Sequence, residues 1–314
     1  MPLIRPNTNF VWLAAMFAIM FAGCDQQAAY DDDPPPKPKP KPVVSKHGPM
    51  AAPGPGGFGG GGGRGTARVK AEPKTLEELG IDELTKLAAE NLKNNEVDAA
   101  KLALAEARKK SDESSEAKHE IAKLLFGAGE MKASVEVYDE ILKFHPDLKP
   151  KLWQRGLALY FAEDYAAGVD QFDTHQTDNP QDVENSVWQL LCKSRLTSVE
   201  EARKTMIKVD SDNRVPMKQV FNLFAGTGTP EEVIEASGYD PVKLVRSSEK
   251  YQAWLYVGLF HEMMGEQEAA NAAMKTALKC KADTPGLMGY VADGHLRVRG
   301  AYPIETKKRR SSRR

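Results

Sequence analysis

The chain offers little from which to build a conventional active site. Its 314 residues include only three cysteines, Cys24, Cys192 and Cys280, and no C-x-x-C pair, which excludes a dithiol redox motif. The six histidines are His47, His119, His145, His175, His261 and His295, and no two stand four apart on one helix face. His261-Glu262 begins a zinc-protease pattern, but Gly265 occupies the position of the second histidine. No metal ligands and no cofactor are therefore expected, and all six histidines are read as surface or packed residues. G-x-S-x-G is absent, and Gly226-Thr227-Gly228 lacks the lysine of a phosphate cradle. No strong run of alternating apolar and polar residues marks a strand. Positive charge is also scarce where the chain can fold. Residues 76–300 hold 28 basic and 38 acidic residues, a net of −10, which argues against nucleic acid as a partner.

The N-terminus has a different character. Residues 10–22, FVWLAAMFAIMFA, form an apolar run of thirteen behind a single charge, Arg5. A bilayer-spanning helix needs about 20 residues, so this run reads as the core of a signal peptide over residues 1–23. Phe21-Ala22-Gly23-Cys24 follows it directly and resembles a bacterial lipobox, with Phe21 where leucine is usual. Cys24 is then the expected lipidation site and the first residue of the mature chain. Two or more acyl chains suffice for stable anchoring in a cell membrane or outer membrane, with the body facing the periplasm.

Residues 24–75 cannot join a packed core. Nine prolines fall within 34–55 and nine glycines within 54–65. The Pro/Lys part should be extended polyproline II and the Gly part a flexible coil, together a disordered tether. The C-terminal residues 301–314 carry KKRRSSRR at 307–314 and read as a solvated basic tail.

From Leu76 to Gly300 the apolar residues recur at helical spacing, as in Leu84, Leu87, Ala88 and Leu92, so the fold class is all α. Pro146 and Pro180 stand 34 residues apart, each closing a helical segment. Stepping by that period aligns Ala100, Ser134, Gly168, Ala202, Ala236 and Ala270, six small residues. A second column, Ala88, Ala122, Gly156, Leu190, Phe224 and Gly258, is small at both ends. A third, Leu104, Tyr138, Phe172, Met206, Asp240 and Met274, is large in all but one. The pattern resembles the tetratricopeptide repeat (TPR), in which two antiparallel helices cross at small residues, so a TPR helical solenoid is expected. The units at Ala202 and Ala236 are degenerate, interrupted by GTGTP at 226–230 and GYDP at 238–241. Pro285–Gly300 is expected to cap the open end. Cys192 and Cys280, far apart in such an array, should be buried and unpaired.

RGLALYF at 155–161, DNPQDVENSVWQLL at 178–191 and SEKYQAWLYVGLFHEMMGEQEAANAAMKTAL at 248–278 are similar to repeats of the NlpI family of TPR lipoproteins. The likeness spans about 76–300 and is weak over 194–247. It implies a homodimeric, membrane-anchored, non-catalytic adaptor for envelope proteins, namely a periplasmic protease and peptidoglycan hydrolases. The tether and the basic tail lie outside the likeness. By the register of the repeat, a peptide-binding groove should be lined by His119, Lys123, Phe126, Trp153, Leu157, Tyr160, Phe161, Leu255, Leu259 and Met263. For each of these, packing against neighbouring helices is an equally good reading. Two other functions stand against the adaptor. One is a lipoprotein component of a pilus or outer-membrane assembly system. The other is an enzyme whose titratable groups converge near Asp210–Tyr239.

Overall fold

A computed structural model describes residues 74–302 except 113 and 283–285. The lipobox with Cys24, nearly all of the tether and the basic tail from residue 303 lie outside the described residues. Among the described residues the regular secondary structure is all helical, with no strand and only an isolated bridge at Leu244.

Thirteen α-helices are described. The first four pairs are α1 (Ile81–Lys93) and α2 (Val97–Lys110), α3 (Ser115–Gly127) and α4 (Met131–Phe144), α5 (Trp153–Phe161) and α6 (Tyr165–His175), and α7 (Val183–Leu196) and α8 (Val199–Lys204). Then come α9 (Met217–Ala225) and α10 (Pro230–Ala236), α11 (Ser248–Met263) and α12 (Gln267–Cys280), and finally α13 (Val291–Val298). Within each pair only two to four residues separate the helices, so the second must run back along the first. The second helices of the first four pairs begin at Val97, Met131, Tyr165 and Val199, steps of 34 residues.

The turns repeat with the helices. Asn95, Gly129, Glu163 and Gly265 all have positive φ, at 59°, 84°, 68° and 79°. Each ends the first helix of its pair in the left-handed conformation that frees the chain to reverse. Gly fills this position without strain, Asn at little cost, and Glu163 at a greater one.

Size complementarity sets how closely a pair packs. Ala88, Ala122, Gly156 and Gly258 lie on first helices, sixteen residues before the buried Leu104, Tyr138, Phe172 and Met274 on the second. A Cβ on Gly156 would stand 2.5 Å from Phe172 Cζ, and one on Gly258 3.0 Å from Met274 Cε. The small column at Ala100, Ser134, Gly168, Ala202 and Ala270 is buried. There Ser134 Oγ donates to Ala122 O at 2.8 Å, and a Cβ on Gly168 would meet Cys192 Sγ of the next pair at 2.7 Å.

The pattern loosens in the fourth and fifth pairs. Helix α8 has six residues and α10 seven, and Asp240 and Lys243 fall outside the core. GTGTP does not break the fifth pair but makes its turn. Gly226 takes φ 86°, Thr229 caps α10 through its side chain and Pro230 opens it. Cys192 and Cys280 are buried and no disulfide joins them.

The C-terminal segment does more than cap an end. After a 3₁₀ turn at Leu287–Tyr290, α13 packs on α12 of the last pair and also on α3 of the second. The array is thereby closed on itself.

Candidate functional site

The interior formed where the array closes holds seven of the ten residues expected to line a groove. Tyr160, Phe161 and Trp188 meet edge to face, with Phe126 against Phe161 at 5.5 Å between ring centroids. Such edge-on contacts set the positive ring edge against the negative face. Helix α13 seats itself on this cluster. A Cβ on Gly294 would stand 2.8 Å from Met131 Cε and 3.0 Å from Phe126 Cε1, so a side chain at the crossing would have to push both aside. On the other side, the Gly127 face abuts Tyr290, whose Cδ1 would lie 2.5 Å from an added Cβ.

Polar anchors fix the ends of the segment. Arg297 Nε donates to Gly127 O at 3.1 Å and its Nη1 to Asn95 Oδ1 at 2.8 Å. Tyr251 Oη donates to Met288 O at 2.6 Å, and Lys281 pairs with Asp293 at 3.0 Å. Tyr302 lies under the Arg297 guanidinium, 3.8 Å from its ring centroid, and its hydroxyl reaches Asp293 at 2.9 Å.

A buried charge stands at the centre. Glu262 of α11 is 3% exposed, and His295 of α13 is wholly buried beside it, Nδ1 to Oε2 3.2 Å. Arg299 donates to Oε1, Arg195 of α7 approaches the same oxygen at 3.4 Å, and Arg195 also reaches the Tyr160 hydroxyl at 3.2 Å. Burial alone would raise the Glu262 carboxyl, but His295 and Arg299 outweigh it and hold the group below its ordinary value of 4.5. Neither His295 nitrogen nor Glu262 Oε2 makes a well-formed hydrogen bond.

A second cluster lies near the segment where an enzyme site was considered. Arg214 pairs with Asp182, Glu184 (2.6 Å) and Asp212 (2.7 Å), and Tyr256 Oη donates to Glu184. Burial raises the Glu184 carboxyl. Asp212 is also partly desolvated, but Arg214 and the Val183 N–H hold it low. The guanidinium fills the point on which these groups converge, so the cluster pins the loop before α9 to α7 and α11. A surface hollow of about 600 Å³ opens elsewhere, between Leu104, Leu125 and Ala133, with Lys101, Arg108, Glu130 and Glu140 on its rim. Its charges are already paired, Lys101 to Glu130 and Arg108 to Glu140.

The ten groove residues divide in two. Phe126, Leu157, Tyr160, Phe161, Leu255, Leu259 and Met263 are buried, so in this closed form they are core rather than open lining. Side chains of α11 reach α7 at Tyr256–Glu184 and Glu262–Arg195, and α13 packs on α3. His119, Lys123 and Trp153 are half-buried. His119 stacks edge-on against Tyr138 at 5.7 Å, and burial, then Lys123, lowers its pKa. Lys123 pairs with Glu120.

Sequence reasoning gave no role to Glu262 or Arg299, while Arg214 falls within the segment Asp210–Tyr239 considered for an enzyme site. Glu262 did leave a signal: it interrupts the apolar stripe Leu255, Leu259, Met263 with a charge. Gly294 inside a helical stretch was another, since glycine there is tolerated mainly for close approach. No known protein-family model matches the chain.

Proposed function

We propose that the protein is a lipid-anchored, non-catalytic scaffold of the TPR type that binds proteins in the cell envelope. One observation carries the reading: the second helices start at Val97, Met131, Tyr165 and Val199, with small residues at the crossings. Arrays built this way bury each pair only against its neighbours and present long surfaces suited to peptides and helices. The anchor rests on residues 10–24 and the stand-off from the membrane on residues 25–73. By its resemblance to the NlpI family, the expected partners are a periplasmic protease and cell-wall hydrolases, bound by a homodimer.

The anchor is tested by labelling cells with an alkyne fatty acid. The wild type should take up label and sediment with membranes, while Cys24→Ser should do neither. Equal membrane association of the two would remove the lipid anchor from the account.

A further inference from the structure

We infer that the segment Leu287–Tyr302 is a displaceable strap in the protein's own ligand seat, and that the seat takes a partner helix carrying small–x–x–Arg–x–Arg. The inference rests on the binding role proposed above and names the partner chemistry for it.

The strap is held by side chains remote in the chain. Its Arg297 reaches Gly127 and Asn95, 170 and 202 residues away. Helix α13 has only eight residues. A helix this short has no stability of its own, so it orders on docking and disorders on release as one unit. Its contact with the rest of the fold differs from the close helix crossings within pairs. Those are apolar at Gly156–Phe172 and Gly258–Met274. The strap instead brings His295 and Arg299 onto the buried Glu262 and leaves both imidazole nitrogens without a well-formed hydrogen bond. Groups poorly satisfied inside regain water when the strap leaves, which lowers the cost of opening relative to an apolar contact of the same size.

The seat reads out the occupant. Phe126 and Met131 leave room for a glycine, as Gly294 shows. Three residues on, Gly127 O and Asn95 Oδ1 accept from a guanidinium. Two further on, the Glu262 carboxylate accepts from a second. A planar fork of donors suits the first place, where Nε and Nη1 reach two separate acceptors, and at the second Nε and Nη2 converge on Glu262 Oε1. The occupant is therefore a cationic helix with a small residue at its crossing point, supplied by another protein.

The test uses the full chain and a fluorescent peptide of residues 286–302. Gly294→Leu should evict the strap by collision with Phe126 and Met131 while leaving the seat intact. That variant should bind the peptide at least tenfold more tightly than the wild type, and a peptide carrying the same leucine should not bind. A folded Gly294→Leu protein that binds the peptide no better than the wild type would overturn the strap. Should the variant fail to fold, hydrogen exchange on the wild type decides. Amides of 291–298 should exchange faster than those of α11 through partial opening, and equal rates limited by global unfolding would overturn the proposal. Failure to find envelope partners while the peptide binds would defeat the scaffold reading and leave the strap.

Discussion

At the scale of single residues, three positions make the packing argument testable. Gly156 sits where any Cβ meets Phe172, so Gly156→Ala should cost about 1–3 kcal/mol by overpacking, measured by urea unfolding. Glu163 occupies the left-handed turn position that Gly129 and Gly265 fill in other pairs. Its carboxylate is mostly exposed and stands 3.9 Å from Arg299, a contact of little value. Glu163→Gly should therefore raise stability by up to about 1 kcal/mol, visible as a higher midpoint in the same experiment. Glu262 adds a pH signature. Its folded pKa is depressed, so its contribution is present above the ordinary value of 4.5 and is lost as pH falls through the folded value. Glu262→Gln should destabilise by roughly 1–3 kcal/mol at pH 7, and the gap should narrow as the pH is lowered below that range. A gap that stays constant with pH would show that the carboxylate's charge is not what binds α13.

At the scale of elements, caps and turns decide where helices stop. Helix α10 is seven residues long and depends on its N-terminus, where Thr229 and Glu232 cap each other's backbone N–H groups. Thr229→Ala should cost about 1 kcal/mol, read from thermal unfolding, and should loosen the fifth pair first. The same scale shows what the sequence could and could not tell. The helix pairs were legible because small residues and the closing prolines Pro146 and Pro180 recur at one spacing, a local property. The fourth and fifth pairs were legible only as departures, since α8 and α10 are too short to carry the pattern. The packing of α13 on the last pair was legible as a cap, but its reach to the second pair was not. Its contacts with Asn95 and Phe126 join residues far apart in sequence, and no local periodicity encodes them. For the same reason the sequence left groove lining and core packing as equal readings for the ten expected groove residues, of which seven are buried. Helical register tells which face points inward, not whether the inside is open.

At the scale of the whole molecule, the acidic body and the proposed tether and anchor would divide the work. The folded part carries a net charge of −10, and the tail from residue 307 holds six basic residues among eight. Such a body resists close approach to anionic headgroups, so the long Pro/Gly stretch would keep it clear of the membrane that Cys24 is proposed to hold. The measurement that bears most directly on the proposed function is photo-crosslinking in intact cells, with the probe placed at Trp153, which is half-buried on α5. Mass spectrometry of the products should identify a protease or a cell-wall hydrolase, and the yield should fall in the Cys24→Ser variant. Crosslinks to cytoplasmic proteins alone, or none to any envelope protein, would contradict the account.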